Sequence, residues 1–152
     1  MLTKDAIIEK YENGQTEWLI PIEWHVYGHY RPHGDAVQYY PTGEVKIKRT
    51  YEHGKEVGEE IQYYRDGSVR SILPFKDGKK DGKYVFHYSD GQREECEFAG
   101  GELVHGSVRR FDKDGKPRGV KENEPNPRTE PEVKKILPGD HVPASVPRRP
   151  AE

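Results

Sequence analysis

Seven histidines and a single cysteine are the side chains of this 152-residue chain with the greatest potential for chemistry. His25, His29 and His33 follow one another at intervals of four residues, which on a helix would align them as metal ligands. Their segment has the composition of strand and turn, and four residues along a strand span about 13 Å. Because that separation is too long for one shared ion, the sequence predicts no metal site.

Cys96 and His87 together contain the elements of a nucleophile and its general base. The sequence supplies no clear third group to orient them and no oxyanion site, and Cys96 is expected to be a partly buried strand residue. The glycine-rich turns lead into strand-like segments rather than helices, so they do not resemble phosphate-binding loops. The sequence therefore predicts no catalytic residue and no cofactor site, and the chain is not expected to be an enzyme.

Charge is abundant but balanced, with 25 Lys and Arg residues against 27 Asp and Glu residues. A net charge of −2 and the lack of a basic block argue against nucleic-acid binding. The acidic pairs Glu59-Glu60 and Glu94-Glu95 are expected on solvated strand edges and turns, where charge discourages aggregation. A solvated face is also favoured for a basic group that could otherwise meet an acidic headgroup or partner: Arg65, Arg70, Lys79, Lys80 and Lys83.

An internal repeat of 24 residues specifies the elements that must position these side chains. Glycines recur at this interval in two separate registers, and aromatic residues keep the same step. The unit is nearly complete over residues 34–57, 58–81 and 82–105, and half a unit follows. The recurring positions are Gly34, Gly58, Gly82 and Gly106; Gly43, Gly67, Gly91 and Gly115; Tyr40, Tyr64 and Tyr88; and Tyr27, Tyr51 and Phe75.

Each unit has the signature of a β-hairpin, because short segments rich in Val, Ile and Tyr alternate with tight turns that contain Asp-Gly. Leu, Ile, Val and Phe supply only 29 of the 152 residues. The core is therefore expected to be a thin aromatic layer shared by stacked hairpins, each of them unstable alone. Alternation separates a face with Val37 and Tyr39 from a face with Ala36 and Gln38. Both faces carry aromatic residues, and the sequence does not decide which one is buried.

Two stretches, residues 58–67 and 75–82, resemble the repeat core of the MORN family in its shorter bacterial variant. The resemblance covers roughly residues 27–116 and implies an all-β fold, with tandem MORN-like β-hairpins in an elongated twisted sheet. Bacterial proteins of this type are often labelled antitoxin components of toxin–antitoxin pairs, whereas longer members resemble scaffolds, lipid-associated modules or dimerisation arrays.

Residues 1–14 are predicted to form an N-terminal capping helix, in which Thr3 is the N-cap and Asn13-Gly14 ends the helix. Residues 15–119 are assigned to the repeat array, which begins with an alternating strand pattern over residues 17–27. The start contains no apolar segment of the kind found in secretory signals, and one cysteine allows no internal disulfide. A cytoplasmic location is therefore expected.

Residues 120–152 differ in composition, with seven of the 12 prolines and no Tyr, Phe or Trp. This composition predicts a Pro-rich extended or disordered tail. Within it, residues 129–137 could form two helical turns with Val133, Ile136 and Leu137 on one side. An inert linker and a docking segment that folds on a partner are the two alternative interpretations.

The regular columns of aromatic side chains favour a protein-binding role, because tyrosine offers a large contact area with few rotatable bonds. The favoured hypothesis is a non-catalytic binding module, an antitoxin or immunity protein that neutralises a toxin by direct binding. A lipid- or membrane-associated scaffold and a self-associating module, such as a homodimer, are the alternatives. The candidate partner-binding residues are Trp18, Trp24, Tyr39, Tyr63, His87, Tyr40, Tyr64 and Tyr88.

Overall fold

Consecutive hairpins lie side by side in the computed structural model of the chain, which describes residues 5–119. The strands are β1 (Ala6–Lys10), β2 (Thr16–Trp24), β3 (Tyr30–Pro32), β4 (Gly34–Tyr39), β5 (Val45–Glu52), β6 (Lys55–Tyr63), β7 (Val69–Lys76), β8 (Lys79–Lys80), β9 (Gly82–His87), β10 (Arg93–Ala99), β11 (Glu102–Leu103), β12 (Arg109–Phe111) and β13 (Pro117–Arg118).

Chain order is also the order of strands across the sheet. Ten strands follow the path β1-β2-β4-β5-β6-β7-β9-β10-β12-β13, and the short strands β3, β8 and β11 pair with β2, β7 and β10. Every pairing is antiparallel because neighbours are joined by tight turns. The predicted all-β fold is confirmed over the described residues.

The N-terminal segment forms a strand, so the predicted capping helix is wrong. Ile7 and Ile8 lie in β1, and β-branched residues favour strands. Ile7 stands directly opposite Ile20, which is almost completely buried, and so gains an apolar cross-strand neighbour. Gly14 adopts a left-handed backbone in the turn to β2 instead of ending a helix. Residues 1–4, with the predicted N-cap, lie outside the described part of the chain.

A tight turn with one hydrogen-bond pattern closes each hairpin of the repeat. The Tyr40 N–H donates to the Glu44 carbonyl at 2.8 Å, and the Gly43 N–H donates to the Tyr40 carbonyl at 2.8 Å. The φ angle of Gly43 is 99°, which a residue with a side chain rarely adopts. This requirement explains why glycine recurs at this turn, and Tyr11 begins a turn of the same kind before β2.

Hydrogen bonds link successive hairpins at both ends of their strands. At one end, tyrosine hydroxyls donate to main-chain carbonyls of the next hairpin, and at the other, turn glycines donate to carbonyls of the preceding one. The donor and acceptor pairs are Tyr11 to Tyr39 (2.8 Å), Tyr40 to Tyr63 (2.9 Å), Tyr64 to His87 (2.7 Å), Gly54 to Pro32 (2.8 Å), Gly78 to Glu56 (2.8 Å) and Gly101 to Lys80 (2.8 Å). The repeat of glycine and tyrosine is thus a register requirement between hairpins.

The sheet has one buried face and one half-buried face. Ala36 is fully buried and lies in a core cluster with Ile20 and Tyr51, so the face that carries Ala36 is the buried face. The opposite face, which carries Val37 and Tyr39, is the half-buried face. The structure thus settles which face is buried, a question that the sequence left open. Other apolar residues of the buried face are Leu73, Phe75, Phe86 and Cys96.

Tyr27 does not take the position that its 24-residue spacing predicts. Tyr51 and Phe75 are buried, with 2% and 7% of their surface exposed, whereas Tyr27 is 80% exposed. It lies in the turn after β2, which is closed by a hydrogen bond of 2.7 Å from the His25 N–H to the His29 carbonyl. The turn between β2 and β3 spans residues 25–29, whereas the turn between β5 and β6 spans only residues 53–54, so the 24-residue interval alone places Tyr27 wrongly.

Within residues 5–119 there is no helix with the length and apolar character needed to cross a membrane. The predicted Pro-rich tail, residues 120–152, and its possible helical turns at 129–137 lie outside the described residues.

Candidate functional site

A row of apolar side chains crosses the half-buried face of the sheet. Directly opposed residues of neighbouring strands point to the same side, so the strand register defines the row. In order across the sheet it contains Ile8, Leu19, Val37, Lys48, Ile61, Ile72 and Val85. All of these except Lys48 are half-buried. Contiguous accessible apolar surface commonly marks an interaction site, so this apolar row is a candidate interaction surface of the sheet.

Three of the predicted partner-binding residues, Tyr39, Tyr63 and His87, flank the apolar row on the same face. They occupy the same position in successive repeats, and each is half-buried. The ammonium of Lys48 lies 5.7 Å from the centre of the Tyr63 ring, within range of a cation–π contact. The sheet therefore brings these three residues together in one column beside apolar surface.

An open groove of about 630 Å³ lies at the turn end of this column, between the second and third repeats. Tyr64, Val69, His87 and Tyr88 line it together with the adjoining turns. The groove mixes aromatic rings, an apolar side chain and main-chain groups, a composition that suits a side chain of a protein partner.

Tyr40 and Tyr64 also have a structural role, in addition to any role in binding. Both hydroxyls donate to the backbone of the next hairpin, as described above, and cations lie over both rings. The guanidinium carbon of Arg65 is 5.4 Å from the centre of the Tyr40 ring, and that of Arg70 is 5.9 Å from the Tyr64 ring. The rings and their cations remain available at the surface, whereas the two hydroxyls are already engaged.

Trp18 and Trp24 lie apart from the tyrosine column. Trp18 is on the buried face, packed against the core cluster, with the guanidinium of Arg49 lying 5.1 Å from its ring. Trp24 contacts Tyr30 edge to face, with ring centres 5.6 Å apart. The structure thus divides the predicted set, because Trp18 faces away from Tyr39.

A buried charge cluster, which sequence reasoning missed, lies on the buried face. Arg49 bonds Glu56 at 2.8 Å and Glu60 at 2.6 Å, and its side chain is only 14% exposed. The guanidinium also donates to the Tyr51 hydroxyl at 3.3 Å, and burial raises the pKa of that tyrosine. Gly58, with a φ of 70°, lies opposite a register irregularity that begins after Lys48 and lets one arginine meet both carboxylates.

Glu94 repeats this arrangement further along the sheet. Of the two acidic pairs, only Glu59 is exposed as expected, because Glu95 has a side chain that is 15% exposed and that pairs with Lys83 and Arg93. Glu94 is buried and accepts a hydrogen bond of 2.9 Å from Arg110, whereas Glu60 is buried against Arg49. Alternation would have placed one member of each Glu-Glu pair on each face. The sequence alone did not reveal the strand register that brings an arginine next to the buried glutamate of each pair.

A compact polar corner is formed by Glu23, His33, His53 and Arg31, from β2, the β3–β4 junction, the β5–β6 turn and β3. Glu23 Oε1 lies 2.6 Å from His53 Nδ1, and Glu23 Oε2 lies 3.6 Å from His33 Nδ1. Arg31 Nε contacts Glu23 Oε1 at 2.5 Å. The hydrogen bond with His53, aided by Arg31, lowers the pKa of Glu23 to about 2.

Spacing along one strand directed attention to the wrong histidines. His25 and His29 take no part in the polar corner, which joins His33 to a histidine of the next hairpin. The signal that could have found it is the inter-repeat register, because the Gly54 N–H donates to the Pro32 carbonyl. That bond places His53 beside His33, with ring centres 5.0 Å apart.

Cys96 and His87 lie on opposite faces of the sheet. Cys96 is buried opposite Tyr84, whereas His87 is on the half-buried face opposite Arg93. Burial raises the pKa of the Cys96 thiol to about 11, so the thiol is protonated at neutral pH. The geometry therefore does not assemble a nucleophile and base from these two residues.

Two segments of the chain, residues 32–53 and 56–77, match the family described as MORN repeat variant. Over these two segments the repeats are similar to that family. The matched segments contain the β4–β5 and β6–β7 hairpins with their turns and inter-repeat hydrogen bonds. MORN repeats are generally protein- or lipid-binding modules, and the family is typically non-catalytic. No curated protein matches the chain.

Proposed function

We propose that this MORN-repeat chain is a non-catalytic module that binds a protein partner on its half-buried face. The observation that carries the proposal is the apolar row from Ile8 to Val85, which Lys48 interrupts and which Tyr39, Tyr63 and His87 flank. Rigid aromatic anchors beside apolar surface are the usual centre of a protein interface. A preformed sheet would bind with little rearrangement of its backbone.

The finer form of the proposal is that the partner is a toxin and the chain its antitoxin or immunity protein. It is supported by the resemblance to bacterial MORN variants that carry that label. Co-expression with a toxic gene from the same locus tests it, since the wild-type chain should relieve growth arrest. A triple variant, Tyr39→Ala, Tyr63→Ala and His87→Ala, should lose that relief while remaining folded by circular dichroism.

Tyr27→Ala is the matched control for the triple variant, because Tyr27 is 80% exposed in a turn outside the tyrosine column. The control should relieve toxicity as the wild type does. Equal relief by all three chains would contradict the proposed face, and no relief by the wild type would contradict the toxin partner. Light scattering of the purified 17.6 kDa chain separates a hetero-complex from the self-associating alternative, which predicts a dimer mass without any partner.

A lipid-binding alternative is favoured by the cations that accompany the tyrosine rings. Lys46 of β5 lies 5.8 Å from the Tyr40 ring centre, and Arg65, from the turn of the next hairpin, lies 5.4 Å from it. Aromatic rings with nearby cations suit an anionic membrane surface. This alternative predicts sedimentation with anionic vesicles that weakens as salt rises, reduced in a Lys46→Gln, Arg65→Gln variant. Equal recovery with and without vesicles at low salt would exclude it.

A further inference from the structure

We propose that Glu23, His33 and His53 form a binding site for a borderline divalent transition-metal ion of the Zn²⁺ class. Each of these residues offers one donor atom, and the three atoms all lie within 4.8 Å of one another. Two imidazole nitrogens and a carboxylate oxygen are ligands that Zn²⁺ and its neighbours prefer over Mg²⁺. The site is independent of the apolar row, and its proposal does not rest on the partner-binding function.

The three ligands come from segments that main-chain hydrogen bonds hold in place. The His33 N–H donates to the Pro21 carbonyl at 3.0 Å, and the Gly54 N–H donates to the Pro32 carbonyl at 2.8 Å. His53 itself adopts a left-handed backbone with a φ of 49°, which turns its ring towards Glu23. A ligand set supported in this way is already close to its binding geometry.

The distances are compatible with one ion after small side-chain movements. A tetrahedral ion about 2.0–2.1 Å from each donor holds the donors about 3.3 Å apart. The carboxylate-to-imidazole distances, 2.6 Å from Oε1 to His53 and 3.6 Å from Oε2 to His33, lie on either side of that value, so a turn of the carboxylate would present one oxygen to the ion. The His53 side chain is 62% exposed, so a fourth position would face solvent and could take water or a ligand from another molecule.

Hydrogen-bond accounting also points to a cation at this corner. His53 Nδ1 lies 2.6 Å from Glu23 Oε1 and 3.1 Å from Arg31 Nη2. As a donor it satisfies the carboxylate and opposes the guanidinium, and as an acceptor it does the reverse. A metal ion in place of the guanidinium would satisfy the imidazole lone pair and the carboxylate together. Arg31 is therefore the competitor of the ion, and its removal should strengthen binding.

The same corner of the next repeat contains no such ligand set. Lys55, Val57 and Asp77 stand 24 residues after Arg31, His33 and His53. Lys55 lies beside the turn glycine Gly78 as Arg31 lies beside Gly54, which shows that the corners are structurally equivalent. The three ligands are thus a feature of the first corner and not of the repeat.

Titration calorimetry of the full, untagged, chelator-treated chain with Zn²⁺ tests the proposal. We expect one ion per chain, weaker binding by about tenfold or more in Glu23→Gln and in His53→Asn, and little heat with Mg²⁺. Asparagine is chosen because it tolerates the left-handed backbone of position 53. His29→Asn, a neighbouring histidine outside the set, should bind as the wild type does, and Arg31→Gln should bind more tightly.

Circular dichroism of each variant shows that the fold is retained, so a loss of binding is assigned to the ligands. The absence of saturable Zn²⁺ binding would overturn the proposal. Binding that survives Glu23→Gln and His53→Asn, or that falls equally in His29→Asn, would also overturn it. Weaker binding in Arg31→Gln would show that the guanidinium supports the cluster as a salt bridge and does not compete with an ion.

Discussion

The polar corner and the regular repeats use the same hairpin geometry in two different ways. In the regular repeats, positions kept at a 24-residue interval make hydrogen bonds that fix the register, as Tyr40 and Tyr64 do. At the corner, the equivalent backbone bond from Gly54 brings together Glu23, His33 and His53, and the next repeat has Val57 and Asp77 in place of the two histidines. Residues that follow the repeat hold the sheet together, and residues that depart from it form the proposed metal site.

Burial separates the two regions as well. Charges inside the array, such as Glu56 and Glu60, are buried and close to Arg49. Charges at the corner remain partly exposed, with 29% of the Glu23 side chain and 42% of the Arg31 side chain accessible. Exposed ion pairs stabilise little, whereas breaking a buried pair is costly. Stability should therefore depend on the array much more than on the corner.

The largest effect is expected from Arg49→Met. The substitution removes the cation beside two buried carboxylates, and we expect a loss of about 3 kcal/mol in the free energy of unfolding. Urea denaturation followed by circular dichroism measures it. Lys76→Met, at an exposed position of β7, is the control and should change stability by less than about 0.5 kcal/mol. Similar losses in both variants would mean that the cluster adds nothing beyond ordinary packing.

Cys96 tests the burial of the array by pH. Because its thiol pKa is raised from 9.0 to about 11, the folded chain holds this proton more tightly than the unfolded chain. The resulting contribution to stability is complete below pH 9 and is lost as the pH rises towards 11. At pH 8 we expect iodoacetamide to alkylate the folded chain about a hundredfold more slowly than the urea-unfolded chain. Equal alkylation rates would show that the buried face opens freely.

Much of this fold could be predicted from the sequence because the residues that repeat are the ones whose hydrogen bonds fix the register between hairpins. The glycine and tyrosine positions indicated the hairpins, their turns and the two faces of each strand. The N-terminal strand was mistaken for a helix because Asn13-Gly14 suits a helix end and a hairpin turn equally well. Only the partner strand, with Ile20 opposite Ile7, decides between them.

The candidate sites were harder to predict because they depend on contacts between hairpins. His33 and His53 are 20 residues apart, and nothing in their local sequence joins them. Glu60 could be recognised as buried only from the register irregularity near Arg49. The column of Tyr39, Tyr63 and His87 followed from alternation, but its half-buried state depends on neighbours in adjacent strands, such as Lys48 beside Tyr63.

A glycine comparison should give an intermediate effect. Gly82 has a φ of 114°, and a Cβ added there would lie 3.0 Å from Pro74 Cγ, whereas Gly28 in the turn after β2 has a φ of 81° and open space around it. We expect Gly82→Ala to cost about 2 to 3 kcal/mol, from backbone strain and a clash. Gly28→Ala should cost about 1 kcal/mol from the backbone alone. Thermal denaturation ranks the two, and the reverse order would contradict the tight inter-hairpin contact.

The smallest effect is expected from the tyrosine hydroxyls that link the hairpins. Tyr64→Phe deletes the 2.7 Å hydrogen bond to the His87 carbonyl and keeps the ring, so we expect a loss of about 1 kcal/mol. Tyr27→Phe removes the hydroxyl of a tyrosine that is 80% exposed and should leave stability unchanged. Chemical denaturation of both variants measures the difference. If Tyr64→Phe matched Tyr27→Phe, the repeated tyrosine would be kept for its ring alone, and its place in the lining of the groove would then favour partner contact over register.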